Sequence, residues 1–210
     1  MRKFIFILFA LAALFSKAQC GSRANSLDLY YGSRSFTGSF YDQFNKVNKL
    51  NFSAPLQVMG VGVSGRFIVS RDGGFSGHFT FAKVVPQSIR LQDTLNCKVS
   101  GFIFSYGYGT SVLRIRRLFE LDAYAGFNTG RIKCYGNELV RQKNPFFSPK
   151  IGLQPKLNIH NMAISLRFEY EYDVSGSNWR RTLVASDKKV NLEKFRQTGF
   201  TALLGIGYIF

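Results

Sequence analysis

The segment Met162–Asp173, MAISLRFEYEYD, alternates with a period of two along its whole length. One set of alternate positions is apolar or aromatic: Met162, Ile164, Leu166, Phe168, Tyr170 and Tyr172. The other set is mostly polar and charged: Ala163, Ser165, Arg167, Glu169, Glu171 and Asp173. This period is that of a β-strand with two unlike faces. It suits a soluble sandwich, whose apolar face is the core, or a membrane barrel, whose apolar face meets lipid.

The same alternation recurs along the chain and predicts eight strands. They cover residues 26–33, 56–70, 75–84, 97–110, 119–130, 149–159, 162–173 and 198–210. The connections between these strands alternate, because every odd one is long and every even one is short. Outer-membrane barrels sort their connections in this way, with short periplasmic turns and long extracellular loops. The predicted fold is therefore all-β, an eight-stranded antiparallel up-and-down transmembrane β-barrel.

The start of the chain carries a predicted export signal. Two basic residues precede an unbroken apolar run from Phe4 to Phe15, and the small-x-small site Ser16–Ala18 follows. This order is typical of a secretory signal peptide, and the apolar run is too short to span a bilayer as a helix. We expect residues 1–18 to be the signal peptide and residues 19–210 to form one barrel domain.

The chain ends on GFTALLGIGYIF, from Gly199 to Phe210, which also alternates and finishes on an aromatic residue. With the loop pattern, this makes the mature chain resemble the small eight-stranded outer-membrane β-barrels of Gram-negative bacteria, the OmpA- and OmpX-like architecture. In that class the last strand commonly carries an assembly signal with a terminal aromatic. The resemblance implies that Phe200, Tyr208 and Phe210 form this signal for the barrel-assembly machinery. It also implies an outer-membrane location, with both termini periplasmic and the long loops extracellular.

An eight-stranded lumen is about wide enough to be filled by side chains. The positions predicted to face it carry charges of both signs: Asp28, Arg66, Glu120, Asp122, Lys150, Lys156, Arg167, Glu169, Glu171 and Asp173. Unpaired charges are costly in a low-dielectric interior, so we expect an ion-pair network that plugs the barrel. A general diffusion pore is disfavoured, and a narrow ion channel through these charges is kept as an alternative.

The three cysteines have different predicted fates. A hairpin turn centred on Ile115 and Arg116 would place Cys97 opposite Cys134, and the exported compartment is oxidising, so we predict a disulfide between them. Cys20 has no obvious partner; it is free, paired between molecules, or lipidated if the signal is of the lipoprotein type. No cysteine or histidine cluster indicates a metal site, and no cofactor is predicted.

The chain is strongly basic, with a net charge of +16. Much of the excess lies in the predicted fifth and seventh loops, at Arg131, Lys133, Arg141, Lys143, Arg180, Arg181, Lys188 and Lys189. A basic outer rim suits the phosphates of lipopolysaccharide. The alternative is a solvated and weakly ordered set of loops. Export removes the chain from nucleic acid, the usual partner of a basic protein, so we predict no nucleic-acid binding.

Catalytic residues are not evident. His78 is predicted within a strand and His160 at a turn, and the pair Ser76 and His78 is of a kind common by chance in strands. We therefore predict a non-enzymatic structural or interaction protein, and an accessory subunit of an envelope complex with a protein partner is a specific version of this. The alternative is an outer-leaflet lipid-modifying enzyme, which would need a base beside a nucleophile.

Overall fold

A computed structural model describes residues 22–36, 55–68, 74–90, 96–115, 118–136, 140–175, 178–183, 188–194 and 196–210. The predicted signal peptide and Cys20 lie outside these residues. The described strands are β1 (Ser22–Phe36), β2 (Leu56–Ile68), β3 (Gly74–Arg90), β4 (Asn96–Ile115), β5 (Phe119–Gly136), β6 (Val140–Ile159), β7 (Met162–Glu171), β8 (Asn178–Leu183), β9 (Lys188–Lys194) and β10 (Gly199–Ile209). Within the described ranges, no helix is long and apolar enough to cross a membrane.

Strands β1 to β7 and β10 form a closed antiparallel barrel. From β1 to β7 each strand pairs with the next in sequence, β7 pairs with β10, and β10 pairs with β1. The closing ladder places Phe36 opposite Gly199 and Ser26 opposite Ile209. Phe210 extends it, because its backbone N–H donates to the carbonyl of Asn25 over 3.0 Å. The eight-stranded antiparallel barrel predicted from the sequence is confirmed.

The strands extend beyond the predicted bounds. The predicted loops 85–96 and 131–148 are largely strand, because β3 runs to Arg90 and β6 begins at Val140. Apolar alternation was the signal for a strand, and it fades where neither face of a ladder is strongly apolar. The predicted seventh loop contains the hairpin β8–β9, which pairs onto the first residues of β6.

The register between β4 and β5 differs from the prediction. Cys97 stands opposite Gly136, and Cys134 stands opposite Val99, so the two cysteines are diagonal and not directly opposed. The ladder closes with Ile115 opposite Phe119, later in the chain than a turn centred on Ile115 and Arg116 would allow. An irregularity after Ser111 shifts the register back by only one residue. Direct opposition therefore no longer supports the predicted disulfide, and both cysteine side chains lie outside the described part of the structure.

The tight turn predicted at His160 and Asn161 is confirmed. Ile159 pairs with Met162, so only two residues connect β6 and β7. His160 has a φ of 54°, in the left-handed region, where histidine is more common than most residues with a β-carbon. Proline cannot donate a hydrogen bond to a ladder, so a local distortion is expected at Pro155. The β6–β7 ladder has no pairs at Gln154 and Pro155 but keeps the same register on both sides of them.

Candidate functional site

The outer wall of the barrel is apolar, and the polar face is the buried one. In β7, the side chains of Met162, Ile164, Leu166, Phe168 and Tyr170 are 39% to 51% exposed. The intervening residues of β7, which include Arg167 and Glu169, are at most 3% exposed. A soluble sandwich would bury the first set. An outward apolar face around a charged interior is the arrangement of a transmembrane barrel.

Aromatic side chains cover much of this wall. Phe127 stacks on Phe147 with ring centroids 5.4 Å apart, and Tyr170 packs against Phe200 at 4.9 Å. A mostly apolar cavity of about 860 Å³ is lined by residues of β1, β3, β4, β5, β6, β7 and β10. Small residues such as Ala125, Gly152 and Ala202 contribute to its lining.

The upper lumen, toward the β8–β9 hairpin, is filled by one arginine and its surroundings. Arg34 Nε lies 2.9 Å from Glu171 Oε1, and both side chains are fully buried. The guanidinium also lies over the ring of Phe146, 4.3 Å from its centroid. Thr201 donates a hydrogen bond of 2.9 Å to Glu171 Oε1. Their mutual attraction, the Phe146 ring and the Thr201 hydroxyl thus compensate for moving this carboxylate and this cation out of water.

Asn128 joins the upper lumen to the middle. Its Nδ2 donates to Glu171 Oε2 over 3.1 Å and to Glu169 Oε2 over 3.2 Å. Glu169 Oε1 in turn accepts from Lys150 Nζ at 2.6 Å and from the Tyr124 hydroxyl at 3.0 Å. Charge-assisted hydrogen bonds of this kind are stronger than neutral ones, so the carboxylate is well satisfied.

Arg167 completes the middle of the lumen. It is fully buried and donates to the Tyr30 hydroxyl over 2.7 Å and to Thr80 Oγ1 over 2.9 Å. Its Nε lies 4.0 Å from Glu169 Oε1. Contacts therefore run without a break from Arg34 to Arg167. We call this the lumen network, and its members are Tyr30, Arg34, Tyr124, Asn128, Lys150, Arg167, Glu169 and Glu171.

A second charged group lies toward the short turns. Glu120 pairs with Arg66, and Arg114 Nε approaches the same carboxylate to 3.3 Å. Asp28, also predicted inward, accepts from the hydroxyls of Ser26 at 3.0 Å and Ser64 at 3.2 Å. This end of the barrel is thus also occupied by paired polar side chains.

The remaining residues predicted to face the lumen, Asp122, Lys156 and Asp173, lie outside the lumen network. Asp173 is buried and accepts a hydrogen bond of 2.9 Å from the backbone N–H of Gln197, so it holds the chain entering β10. Asp122 is buried and Lys156 is half-buried, and neither joins the lumen network. Of the predicted set, Lys150, Arg167, Glu169 and Glu171 belong to the lumen network, and Arg66 and Glu120 form a separate pair.

Sequence reasoning missed Arg34, because it was assigned to the first long loop. The signal was available: Asp28, Tyr30, Arg34 and Phe36 are all even-numbered, all buried, and lie on one face of β1. Tyr124 and Asn128 lie on the same face of β5 as Glu120, but their roles as hydrogen-bond donors could not be deduced from a period of two.

The predicted basic loop residues lie in strands. Arg131 and Lys133 belong to β5, Arg141 and Lys143 to β6, and the other four to β8 and β9. Arg131 and Lys143 are exposed, whereas Ile132 and Asn144 beside them are buried, so these two cations are on the outer wall. Over the described residues, no group of three or more histidine, cysteine or acidic side chains could hold a metal ion.

No family model and no curated protein matches the chain. Among solved structures, it is similar to Ail, the attachment invasion locus protein of Yersinia pestis, in complex with the heparin analogue sucrose octasulfate. The identity is 17%, the match covers 90% of this chain and 99% of that one, and the TM-score is 0.52. A major outer membrane protein from Thermus thermophilus matches at 10% identity over 90% and 100% of the chains, with a TM-score of 0.55. Together with the closed ladder, these likenesses show that the chain has the OmpA- and OmpX-like fold, that of a small eight-stranded outer-membrane β-barrel.

Proposed function

We propose that this protein is an integral outer-membrane barrel with a closed lumen, and that its role is structural or interaction-bearing, without catalysis or conduction. Both termini would lie in the periplasm, next to the short turns. The long strand ends and the β8–β9 hairpin would then face the outside of the cell. The alternation of exposed apolar and buried charged residues along β7 supports the membrane location.

The lumen network is the observation that supports the proposal of a closed lumen. Arg34, Arg167 and Glu171 are fully buried, and Lys150 and Glu169 are 3% exposed. These five charges and their partners form continuous contacts across the interior from β1 to β7. An ion entering the barrel would have to displace charge-assisted hydrogen bonds, which is costly in a low-dielectric interior.

Conductance in planar bilayers tests this proposal. The protein should insert as a heat-modifiable species, with different gel migration before and after boiling, and should give no resolved conductance steps. The variant Arg167→Ser with Glu169→Ser should keep the heat-dependent shift and increase the conductance, because it removes two large charged side chains from the middle of the lumen. Steps from the unaltered protein would establish a narrow channel. Recovery as a soluble protein without a heat-dependent shift would refute the barrel itself.

Absence of catalysis is part of the proposal and has its own test. His78, the histidine near Ser76, is 6% exposed, and Tyr124 packs edge-on against its ring at 4.6 Å. This enclosure does not favour attack on a lipid at the outer leaflet. Incubation with purified lipopolysaccharide should leave the mass of its lipid portion unchanged. Loss or transfer of an acyl chain would show that the protein is a lipid-modifying enzyme.

An interaction role predicts a companion in the membrane. Purification in mild detergent without boiling should recover either lipopolysaccharide or a stoichiometric protein partner with the barrel. A protein recovered in equal amount would make this chain an accessory subunit of an envelope complex. Lipopolysaccharide alone would indicate a free-standing barrel. Recovery of neither, from membranes that contain both, would refute the interaction role.

A further inference from the structure

Four basic side chains lie together on the outer wall at one side of the barrel. Lys98, Arg131 and Lys143 are exposed, and Lys133 is partly exposed. Each is next to a buried residue in its strand: Val99, Ile132 or Asn144, which are at most 2% exposed. Because successive residues of a strand point to opposite faces, all four lie outside the barrel. We call these four residues the cationic wall.

The register places like charges directly opposite each other within this wall. Lys133 is the cross-strand partner of Lys143, and Lys143 is in turn the partner of Arg180. Directly opposed residues have their β-carbons about 4.5–5.5 Å apart, and like charges at such positions are destabilising. An anion bound beside the opposed Lys133 and Lys143 would offset this repulsion. The paired positions of this row, from Ser100 on β4 to Asn191 on β9, include no acidic residue.

The residues around the cationic wall favour a ligand that is both anionic and amphiphilic. Arg131 stands opposite Phe102, and Phe147 occupies the neighbouring diagonal position. Phe147 is 42% exposed and stacks on Phe127, so the aromatic surface of the barrel begins where the cationic wall ends. A ligand that contacts both needs a negative headgroup and apolar chains beside it.

The opposite side of the barrel has a different character. The outward residues near the same end of β7, β10 and β1 are Tyr172, Phe200 and Ser35. The basic residue found there, Arg196, donates to the Tyr172 hydroxyl and lies over its ring, 5.4 Å from the centroid. The cationic wall is therefore one-sided.

We propose that the cationic wall binds the phosphate groups of the phosphorylated glycolipid in the outer leaflet, with its acyl chains against Phe147 and Phe127. This rests on the outer-membrane orientation proposed above, which places the wall at the outer headgroup level. Each basic residue near an anionic lipid surface contributes about 1 kcal/mol, or roughly a fivefold change in affinity.

The matched variants come from the register of the β8–β9 hairpin. Lys133→Gln with Lys143→Gln removes two cations from the wall. Arg181→Gln with Lys188→Gln removes two cations from the cross-strand rows that alternate with the row of Lys133 and Lys143. In these alternate rows Arg181 is opposite Gln142, and Lys188 is opposite Leu183. The two variants have the same net charge, so a general electrostatic effect would weaken binding equally in both.

The test is a titration of the full mature chain in neutral detergent with fluorescent lipid A, the phosphorylated anchor of lipopolysaccharide. The wall variant should bind roughly 25-fold more weakly, from about fivefold for each charge, and the hairpin variant should bind like the unaltered protein. The unaltered protein should bind dephosphorylated lipid A more weakly than phosphorylated lipid A, by the same factor. Lys133→Arg with Lys143→Arg should bind normally.

Three results would overturn the inference: equal binding of phosphorylated and dephosphorylated lipid A, equal weakening by both variants, or equally tight binding of phosphatidylglycerol. The last result would mean that the cationic wall binds any lipid with an anionic headgroup and is not selective for the glycolipid. Gel migration before and after boiling separates these failures from failure of the proposed function. A heat-modifiable barrel without phosphate selectivity refutes only the wall site, whereas loss of heat modifiability in the unaltered protein refutes the membrane barrel.

Discussion

Arg34 and Glu171 meet inside the barrel although they belong to strands that do not pair with each other. Arg34 Nη2 donates to Glu171 Oε2 over 3.0 Å, and Arg34 Nε lies 2.9 Å from Glu171 Oε1. Strand β10 separates β1 from β7, and Thr201 on β10 contacts the same carboxylate. The ion pair therefore spans three strands at the point where the first and last strands close the barrel.

Breaking this pair should destabilise the barrel strongly. Arg34→Met leaves Glu171 as a buried carboxylate without its cation, and loss of one partner of a buried pair costs about 3–5 kcal/mol. The free energy of unfolding, measured by urea titration in lipid vesicles, should fall by about this amount. Arg34→Met with Glu171→Gln should regain much of the loss, because the unpaired charge is gone.

The control is Arg131→Met, which removes a cation from the exposed outer wall. A surface change of this kind should alter the free energy of unfolding by about 0.5 kcal/mol or less. If Arg34→Met and Arg131→Met had equal effects, the buried pair would not be a determinant of stability.

Gly107 should be needed because the ring of His78 occupies the place of its side chain. Gly107 is the cross-strand partner of His78, and a β-carbon built on Gly107 would overlap the imidazole. Gly107→Ala should lower the free energy of unfolding by about 1–3 kcal/mol, as expected for overpacking. The cost should shrink when His78→Ala is also present. Equal costs in both backgrounds would show that the ring is not the obstacle.

A neighbouring glycine provides the matched control for this experiment. At Gly77, on β3, a β-carbon would have its nearest neighbours at 3.9 Å, an ordinary contact distance. Gly77→Ala should therefore be tolerated, with a gain of about 0.4–1 kcal/mol from the lower entropy of the unfolded chain. Destabilisation by both substitutions would indicate that any side chain in this part of the sheet is harmful.

The sequence was sufficient for the number of strands in the barrel, its closure and the faces of the strands, but not for the β8–β9 hairpin. A period of two separates Arg167 and Glu169 from Leu166 and Phe168 without any knowledge of neighbours, and burial follows this division. Which charges meet depends on cross-strand register and on side-chain length. Asp122 is on the inner face as predicted, but its cross-strand neighbour on β6 is Gln154 and not a basic residue.

The strand ends and the register could not be obtained from periodicity. The ladder of β5 and β6 continues past Arg131 and Pro145, where the alternation of apolar residues has ceased. The offset of Cys97 from Cys134 depends on where the hairpin turns and on one irregularity after Ser111. Neither the position of the turn nor the irregularity has a clear sequence signal, such as the glycine pair that marks a tight turn. The error of two residues in the predicted β4–β5 register was therefore not detectable from the sequence.

A charge on the outer wall should be costly in the middle of the membrane and tolerated near its edge. Leu204 lies midway along β10 and is 47% exposed, whereas Leu113 is 48% exposed near the short turn after β4. Leu204→Arg should lower the free energy of unfolding in lipid vesicles by about 2–4 kcal/mol, and Leu113→Arg by about 0–1 kcal/mol. Equal costs would contradict a bilayer centred on Leu204.

The aromatic side chain of Phe210 should matter for assembly in the cell more than for the finished barrel. Phe210 is 53% exposed, and the hydrogen bonds that hold it to Asn25 are made by its backbone, so Phe210→Ser keeps the ladder. The free energy of unfolding should change by about 1 kcal/mol or less, as for other exposed positions. The amount of heat-modifiable barrel in cell membranes should nevertheless fall, because the assembly machinery is expected to bind the exposed aromatic side chain of Phe210. Ile209→Ser is the control, since Ile209 is on the other face of the same strand. An equal fall for both variants would mean that the machinery detects the apolar character of β10 and not Phe210 itself.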